Sequence, residues 1–168
     1  MPNPLRNRHT IRLTDYDYSQ SGCYFVTICT WQREPIFGSI LKEEMAVNDC
    51  GKIVEEIWLE LPHHYLYVEL DKFVVMTDHF HGILFLTEET QGPAPKRPGL
   101  PYIIRSFKSQ SARRINLVRG ETGIPVWQRG YYDHIVRNES ELASIRKYIL
   151  SNPSQRGADY QYPPNIRN

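Results

Sequence analysis

The order of strand-like and helix-like segments is the feature that most constrains the fold of this chain. Four segments, at about residues 22–31, 72–76, 80–87 and 126–137, are rich in β-branched and aromatic residues, which is typical of strands. Apolar residues repeat at the helical period in two segments. The first begins after Asn48 and is expected to end at Pro62, and the second runs from about Tyr102 to Val118. The order strand, helix, strand, strand, helix, strand predicts an α+β fold of the ferredoxin-like or RRM-like class, with an antiparallel sheet and both helices on one face.

The length of 168 residues predicts a single domain over residues 1–168, large enough to fold around its own core. We expect the core to span about residues 12–153, with an irregular N-terminal arm (1–11) and C-terminal tail (154–168). Cys23, Cys29 and Cys50 are odd in number and lack Cys-x-x-Cys spacing, which argues against a disulfide framework and a cysteine zinc site. No apolar stretch approaches the length of a membrane span, so we expect a soluble, cytoplasmic protein with no membrane partner.

Basic residues are concentrated in two parts of the chain, although its net charge is only +1. Between Pro93 and Arg119 there are seven basic residues and no acidic one, and a second cluster lies near the N-terminus. A solvated helix face is the alternative, but such faces usually interleave acidic partners. We therefore predict a surface for the phosphate backbone of nucleic acid. The candidate DNA-binding residues are Arg6, Arg8, Arg12, Arg105, Lys108, Arg113, Arg114 and Arg129.

Two histidines flank one apolar residue at the head of the third predicted strand, in His79-Phe80-His81. Residues two apart on a strand project from the same face, so both imidazoles point one way while Phe80 points into the opposite layer. Thr77 and Asp78 before them predict a tight turn between the second and third strands. The pair could supply two metal ligands, or it could belong to a strand whose outer face happens to carry histidine twice. A third ligand and a reactive group elsewhere in the chain would favour the metal site.

The last predicted element is a helix that begins after Asn138, because Asn138-Glu139-Ser140-Glu141 has the form of a capping box. Pro153 disfavours helical geometry at Asn152, so the helix is expected to end there. Beside its apolar stripe, Ser144, Tyr148 and Asn152 stand at i, i+4 and i+8, which predicts one polar edge. Tyr148 and Asn152 should reach the same place. A tyrosine at a helix margin is nevertheless usually a core residue, and an asparagine before proline is usually a cap.

Together with the histidine pair, these residues resemble the HUH single-tyrosine transposases, and among them the REP-associated tyrosine transposases of bacteria. The similarity runs from about Arg12 to Pro153, and the ordered set of motifs is far more specific than His-x-His alone. The family has a ferredoxin-like core whose catalytic tyrosine lies on a C-terminal helix near the histidine pair. The matching segments are Asp17-Tyr18-Ser19-Gln20, Tyr24-Phe25-Val26-Thr27-Ile28-Cys29-Thr30, Phe73-Val74-Val75-Met76, His79-Phe80-His81-Gly82, Ser106-Phe107-Lys108-Ser109, Val126-Trp127-Gln128-Arg129, residues 131–138 and Tyr148-Ile149-Leu150-Ser151-Asn152-Pro153.

The resemblance implies a role for each matched position. Tyr148 would be the catalytic nucleophile, and His79, His81 and Asn152 would hold Mg²⁺ or Mn²⁺. Such an enzyme would be a metal-dependent tyrosine transposase, a single-strand DNA endonuclease and strand transferase that works through a 5′-phosphotyrosine. Its partner would be single-stranded or hairpin DNA at palindromic repeats. We would then expect the protein to be associated with the nucleoid, and a homodimer is possible. Mixed nitrogen and oxygen ligands with open positions also fit these metals better than a closed zinc centre.

Two departures from the family pattern and two rival functions stay open. Thr77-Asp78 stands where relatives usually have Pro-Asn, so that Asp78 could compete for the metal, and the tail lacks a tryptophan that often follows the proline. One rival function is a non-catalytic protein, derived from a transposase, that binds hairpin DNA or RNA. The other is a metal-dependent hydrolase that acts through water, for which Tyr148→Phe would leave activity largely intact.

Three aromatic residues that follow the basic helix also have two interpretations. Trp127, Tyr131 and Tyr132 could stack on unpaired bases, or they could belong to the core, which is at least as common for such residues. Tyr131 and Tyr132 compete with Tyr148 as the nucleophile. They lie on a predicted strand without a partner at ligand spacing, so Tyr148 is favoured.

Overall fold

The computed structural model describes residues 13, 15–88 and 97–152, which form nine regular elements and one short 3₁₀ turn at Trp31–Arg33. The elements are β1 (Gly22–Cys29), β2 (Gly38–Leu41), β3 (Glu44–Val47), α1 (Asp49–His64), β4 (Val68–Val75), β5 (His79–Leu86), α2 (Leu100–Arg119), β6 (Tyr132–Val136) and α3 (Glu139–Ser151). Four strands make one antiparallel sheet in the order β4-β5-β1-β6. Helix α1 connects β1 to β4, and α2 connects β5 to β6, so the predicted ferredoxin-like α+β fold is confirmed.

The sheet separates two apolar layers because alternate residues of β1 face opposite sides. Val26 and Ile28 pack with α1 and α2 in the larger core. Phe25 faces the other way and packs with Ile83 and the buried side of α3. The first two helices therefore cover one face of the sheet, as predicted, and the third helix covers the other.

Side chains and turns set the ends of the helices. Asn48 accepts a hydrogen bond from the Gly51 N–H at 3.0 Å at the start of α1, and Asn138 accepts one from the Glu141 N–H at 2.8 Å at the start of α3. Helix α2 ends at Gly120, whose φ of 68° is the left-handed conformation that glycine adopts without strain. None of the helices within the described residues is long and apolar enough to cross a membrane.

Gly82 permits the closest approach between β5 and α1. A Cβ at this position would lie 2.6 Å from Trp58 Cζ2 and 2.8 Å from Phe80 Cε1. The rings of Trp58 and Phe80 pack with their centroids 4.7 Å apart. Gly82 directly follows His81, and its contacts lie on the face of β5 opposite the histidines. This packing therefore holds the strand in place from behind the candidate site.

The predicted strand over residues 126–137 is wrong in its first half. Strand β6 covers only Tyr132–Val136, and Trp127 makes an isolated bridge with Thr30. Gly130, with a φ of 77°, turns the chain between the two. Backbone geometry at one glycine thus divides a segment whose composition is uniformly strand-like.

Two further boundaries differ from their predictions. Helix α1 runs past Pro62 to His64, because proline removes a single N–H and the Tyr65 N–H still donates to the Leu61 carbonyl at 2.9 Å. Strand β4 begins at Val68, before the predicted start at residue 72, and its pairing with β5 is interrupted by a bulge between residues 70 and 73.

The hairpin formed by β2 and β3 was not predicted. Its two turn residues, Lys42 and Glu43, have φ values of 50° and 66°. Such turns are usually occupied by Asn-Gly or Asp-Gly, so the strongest sequence signal of a hairpin is absent here.

Candidate active site

His79 and His81 both project from β5 toward the face of the sheet that carries α3. The register with β1 places His79 opposite Cys29 and His81 opposite Thr27. The two imidazole centroids are 4.7 Å apart, with the ring planes at 75°. The predicted same-face arrangement is therefore present, while Phe80 points into the core shared with α1 and α2. His81 is fully buried, whereas part of His79 stays exposed.

The two ring nitrogens of His81 have different surroundings. Nδ1 lies 2.8 Å from Thr27 Oγ1 in a buried hydrogen bond. Nε2 is also buried, and the described part of the chain offers it no hydrogen-bond partner. Burial, helped by the nearby charges of His79 and Arg33, holds the pKa of His81 well below its usual value. His81 is therefore neutral at neutral pH, which is the form in which imidazole binds a metal.

His79 is held at Nδ1 by a charged pair. His79 Nδ1 lies 2.6 Å from Asp78 Oδ1, and Arg33 Nε lies 3.0 Å from Asp78 Oδ2. Burial raises the pKa of Asp78, but the hydrogen bond from His79 and the charges of His79 and Arg33 outweigh burial and hold that pKa below its usual range. Both carboxylate oxygens face protein partners, which disfavours the alternative in which Asp78 competes for a metal.

Tyr148 lies on the buried side of α3, next to His81. The two ring centroids are 5.4 Å apart, and the Tyr148 ring meets Phe25 edge to face at 6.4 Å. Burial raises the pKa of Tyr148, and a hydrogen bond from the Asn152 side chain partly opposes this effect. The phenol is therefore protonated at neutral pH and needs activation before it can act as a nucleophile.

Asn152 ends α3 and joins its side chain to the Tyr148 hydroxyl, as the sequence predicted. This hydrogen bond lowers the pKa of the phenol, which is the effect expected of an amide N–H₂ that donates to the hydroxyl. Ser144 does not belong to the same edge. It is exposed and donates to the Ser140 carbonyl at 3.0 Å, since two helical turns rotate it away from Asn152.

The residues at this place fit a divalent metal ion. The Nε2 atom of His81 is a buried polar atom without a hydrogen bond to any residue that the structure describes, and such atoms are costly unless a ligand satisfies them. Two imidazoles and an amide oxygen would give a mixed nitrogen and oxygen donor set with open positions, as a divalent ion that must also take up a phosphate oxygen requires. Within residues 15–88 and 97–152 there is no group of three or more His, Cys, Asp or Glu that could hold a metal. A three-ligand site here would therefore have to include a residue of another type, and Asn152, which hydrogen-bonds Tyr148 beside His81, is the candidate.

Two polar contacts fasten α3, with its tyrosine, to the sheet. Arg146 donates from Nε and Nη2 to Asp71 Oδ2, at 2.9 and 2.5 Å, and Asp71 lies in the bulge of β4. Near the start of α3, His134 Nε2 of β6 donates to Glu141 Oε1 at 2.7 Å. Sequence reasoning missed both contacts, and it expected Glu141 only as part of a capping box. No local motif links an acid on one strand with an arginine 75 positions later.

The predicted DNA-binding residues fall into different environments. Arg105, Arg113 and Arg129 are exposed, as a surface for phosphates requires. Three other candidates lie outside the described residues, and these are Arg6, Arg8 and Arg12.

Arg114 and Lys108 both have partners within the protein. Arg114 Nη2 lies 2.8 Å from Glu56 Oε2, and Arg114 Nη1 lies 3.5 Å from Glu60 Oε1. The expectation that the basic segment lacks acidic partners is therefore wrong for Arg114, because α1 supplies them across the interface with α2. Lys108 Nζ donates to the carbonyls of Gln128 and Gly130, both at 2.7 Å, and so holds the loop before β6.

A surface cavity of about 230 Å³ lies beside the N-terminal half of α2. Its lining combines positive charge with an aromatic ring and consists of Pro101, Arg105, Lys108, Gly130 and Tyr131. Trp127, by contrast, is buried and donates from Nε1 to Ser111 Oγ at 3.0 Å. Trp127 is therefore a core residue and not a base-stacking one, which decides between its two interpretations.

Comparison with known sequences places the whole described core in one group of proteins. A family model described as Transposase IS200 like matches residues 19–152. An uncharacterized protein of Haemophilus influenzae is 35% identical over 164 residues, which covers 89% of this chain and 89% of the relative. A candidate REP-associated tyrosine transposase of the same organism is 26% identical over 147 residues, which covers 84% of this chain and 75% of the relative.

Two solved structures share the fold. A REP-associated tyrosine transposase bound to a REP hairpin has a TM-score of 0.60 and 19% sequence identity, over 86% of this chain and 75% of that chain. A candidate transposase from Deinococcus radiodurans has a TM-score of 0.50 and 20% identity, over 83% of this chain and 95% of that chain. At these identities the two likenesses support the fold alone.

Proposed function

Since the chain belongs to the IS200-like transposase family, with the REP-associated tyrosine transposases among its relatives, we propose that it cleaves and rejoins single-stranded or hairpin-flanking DNA through Tyr148. The observation that carries this proposal is the contact between Tyr148 and His81, whose ring centroids are 5.4 Å apart. A buried tyrosine beside an imidazole whose Nε2 has no hydrogen bond within the described part of the chain is a suitable arrangement for a nucleophile next to a metal ligand.

Tyr148 would supply the attacking oxygen. A bond forms between the Tyr148 phenol oxygen and the phosphorus, while the bond from phosphorus to the 3′ oxygen of the preceding nucleotide breaks. The phenol loses its proton, and the departing 3′ oxygen takes one up to become a hydroxyl. The product is a 5′-phosphotyrosine that retains the energy of the phosphodiester, so the 3′ hydroxyl of another strand can reverse the step without a nucleotide cofactor.

Three side chains would hold Mg²⁺ or Mn²⁺, and these are His79, His81 and Asn152. When bound there, either ion would polarise the scissile phosphate and stabilise the negative charge on the leaving oxygen. Asn152 has a second task in this proposal. Its amide N–H₂ donates to the Tyr148 hydroxyl and lowers the pKa of the phenol, which favours loss of the proton during attack.

Hairpin DNA is the substrate we propose, by analogy with the transposase whose structure contains a REP hairpin. The exposed residues Arg105, Arg113 and Arg129 would contact the phosphate backbone, and Tyr131 in the wall of the cavity beside α2 would meet an unpaired base. We expect Arg105→Ala to weaken hairpin binding and to reduce its dependence on salt concentration, which fluorescence titration at several salt concentrations would measure. A homodimer and association with the nucleoid remain predictions.

The covalent intermediate provides the direct test. Purified protein would be incubated with Mn²⁺ or Mg²⁺ and with labelled single-stranded oligonucleotides taken from palindromes that flank its gene, then resolved under denaturing conditions. We expect a covalent protein–DNA band that disappears in Tyr148→Phe and in the presence of a chelator. Tyr102→Phe, an exposed tyrosine on the other face of the molecule, should keep the band.

Three other outcomes would replace the proposal. A band lost in Tyr132→Phe but kept in Tyr148→Phe would assign the nucleophile to β6. Cleavage that survives Tyr148→Phe without any covalent band would indicate a hydrolase that acts through water. Hairpin binding with neither cleavage nor a covalent band, on several palindromes and with both metals, would indicate a binding protein.

A further inference from the structure

A continuous chain of polar contacts leads from Arg33 through Asp78 to the exposed side of the histidine pair. Arg33 Nε lies 3.0 Å from Asp78 Oδ2, and Asp78 Oδ1 lies 2.6 Å from His79 Nδ1. An ionised carboxylate can only accept hydrogen bonds, so the proton of the contact with His79 must belong to Nδ1. A neutral imidazole with its proton on Nδ1 has its lone pair on Nε2, the nitrogen on the far side of the ring.

The backbone of Asp78 is also held in place. Its carbonyl accepts a hydrogen bond from the Thr30 N–H at 2.9 Å, and it shares the single proton of the Thr30 hydroxyl, also 2.9 Å away, with the Glu34 carbonyl. Its side-chain partner Arg33 lies in the short 3₁₀ turn after β1, where Gln32 and Arg33 have φ values of 53° and 59°. Left-handed backbone at two successive residues with a Cβ is strained and persists only where the surrounding contacts require it. The contacts of Arg33 with Asp78 and with Cys29 Sγ, the latter at 2.9 Å, are contacts of that kind.

The same arrangement recurs at the second histidine. His81 Nδ1 lies 2.8 Å from Thr27 Oγ1, and its Nε2 has no hydrogen-bond partner among the described residues. Both imidazoles thus have Nδ1 occupied by the protein, and their rings are neighbours on one face of β5. When a ligand histidine is fixed in this way through its second nitrogen, its orientation and basicity suit metal binding.

We infer that Asp78, braced by Arg33, is a positioning residue that fixes His79 with its proton on Nδ1 and so presents Nε2 to the divalent metal ion. The inference rests on the proposed function, because it concerns the same site. In this inference Asp78 contacts the ligand His79 and does not bind the metal ion itself, so it is not a competing ligand. It also gives Arg33 a role, since its contact with Oδ2 orients the carboxylate so that Oδ1 faces His79.

Two measurements on the complete chain test this inference. The first is the protonation pattern of His79 in metal-free protein labelled with ¹⁵N-histidine, recorded by NMR at about pH 8.5, about two pH units above the ordinary pKa of imidazole. The spectrum of His79→Gln identifies the signal. The second is the dissociation constant for Mn²⁺, measured by titration calorimetry without DNA. The variants are Asp78→Ala, Asp78→Asn and Arg33→Ala, with Asp49→Asn as the matched control, because Asp49 is an exposed aspartate at the start of α1.

We expect wild type to carry the His79 proton on Nδ1, and Asp78→Ala to show both tautomers and bind Mn²⁺ about 10-fold to 100-fold more weakly. Asp78→Asn and Arg33→Ala should give smaller losses in the same direction, while Asp49→Asn binds like wild type. Melting temperatures identify any variant that fails to fold. If Asp78→Ala fails to fold, the isosteric Asp78→Asn keeps the test valid.

Each contrary result has its own meaning. A wild-type proton on Nε2 overturns the inference directly. Folded Asp78 variants that bind Mn²⁺ within about twofold of wild type overturn it too, and they leave the proposed transposase chemistry untouched. Wild type that binds no Mn²⁺ overturns both the inference and the metal site of the proposed function.

Discussion

Thr27 and His81 stand opposite each other in the register of β1 and β5, and Thr27 Oγ1 lies 2.8 Å from His81 Nδ1. This buried hydrogen bond orients an imidazole that also neighbours the ring of Tyr148, with the two ring centroids 5.4 Å apart. One threonine on the central strand therefore controls how the predicted ligand faces the predicted nucleophile.

Replacing Thr27 with valine removes this hydrogen bond while it preserves the volume of the side chain. We expect Thr27→Val to weaken Mn²⁺ binding by about tenfold, because His81 loses the partner that orients it. We also expect the free energy of unfolding to fall by about 1–3 kcal/mol, because the buried Nδ1 of His81 loses its hydrogen-bond partner Thr27. Titration calorimetry and urea unfolding measure the two effects. Thr27→Ser keeps the hydroxyl and is the control; equal Mn²⁺ binding by the two variants would contradict the prediction.

The ion pair between Arg146 and Asp71 should matter more for catalysis than for stability. Its side chains are 36% and 12% exposed, so we expect Arg146→Ala to lower the free energy of unfolding by only about 1 kcal/mol. The rate of covalent adduct formation should fall further, because Arg146 holds the helix that carries Tyr148. A double-mutant cycle with Asp71→Asn, scored on both quantities, isolates the pair. Lys147→Ala, one position along α3 and exposed, should leave both unchanged; a similar loss of rate there would remove the special role of Arg146.

Glu141 should contribute stability that disappears in acid. Burial raises its pKa, but the N–H of Arg137 and the hydrogen bond from His134 outweigh burial and lower the pKa below the ordinary 4.5. Because the folded-state pKa is the lower one, the contribution is complete above about pH 4.5 and is lost as the pH falls through the folded-state value. The groups that face this carboxylate are His134 of β6, Cys23 of β1 and Arg137 beside it.

The measurement for Glu141 is urea unfolding of wild type and Glu141→Gln across the acid range. We expect wild type to be more stable by about 1 kcal/mol at neutral pH, and the two curves to converge as the pH falls below about 4.5. A difference that stays constant with pH would show that the pairing of Glu141 does not depend on its charge.

Gly82→Ala should destabilise the fold through a clash on the face away from the site. Its Cβ would lie 2.6 Å from Trp58 and 2.8 Å from Phe80 in a core without space to accept it. We expect a loss of about 1–3 kcal/mol in the free energy of unfolding, measured by urea titration. Combining it with Trp58→Phe, which shortens the nearer ring, should cost less than the sum of the single changes. Strict additivity would mean that Trp58 is not the obstacle.

Much of the fold and of the candidate site was predictable because the signals were local. Residues two apart on a strand share a face, so His79 and His81 were expected together, and residues one helical turn apart meet, so Tyr148 and Asn152 were expected together. The hairpin of β2 and β3 was missed because Lys42 and Glu43 occupy turn positions that usually carry Asn-Gly. Trp127 could not be separated from a base-stacking residue, since burial depends on the helix that covers it.

The sequence by itself determined the order of the elements, the shared face of the two histidines, and the family, because each of these depends on periodicity or on motifs of adjacent residues. The predicted polar edge of α3 was wrong in part, since Tyr148 is buried with the apolar side of that helix. Only the tertiary structure decided which distant residues support the site. Thr27 reaches His81 through a strand register, Arg33 reaches Asp78 through a left-handed turn, and Arg146 reaches Asp71 through a bulge. Each contact joins positions with no regular spacing between them, so its geometry exists only after the chain has folded.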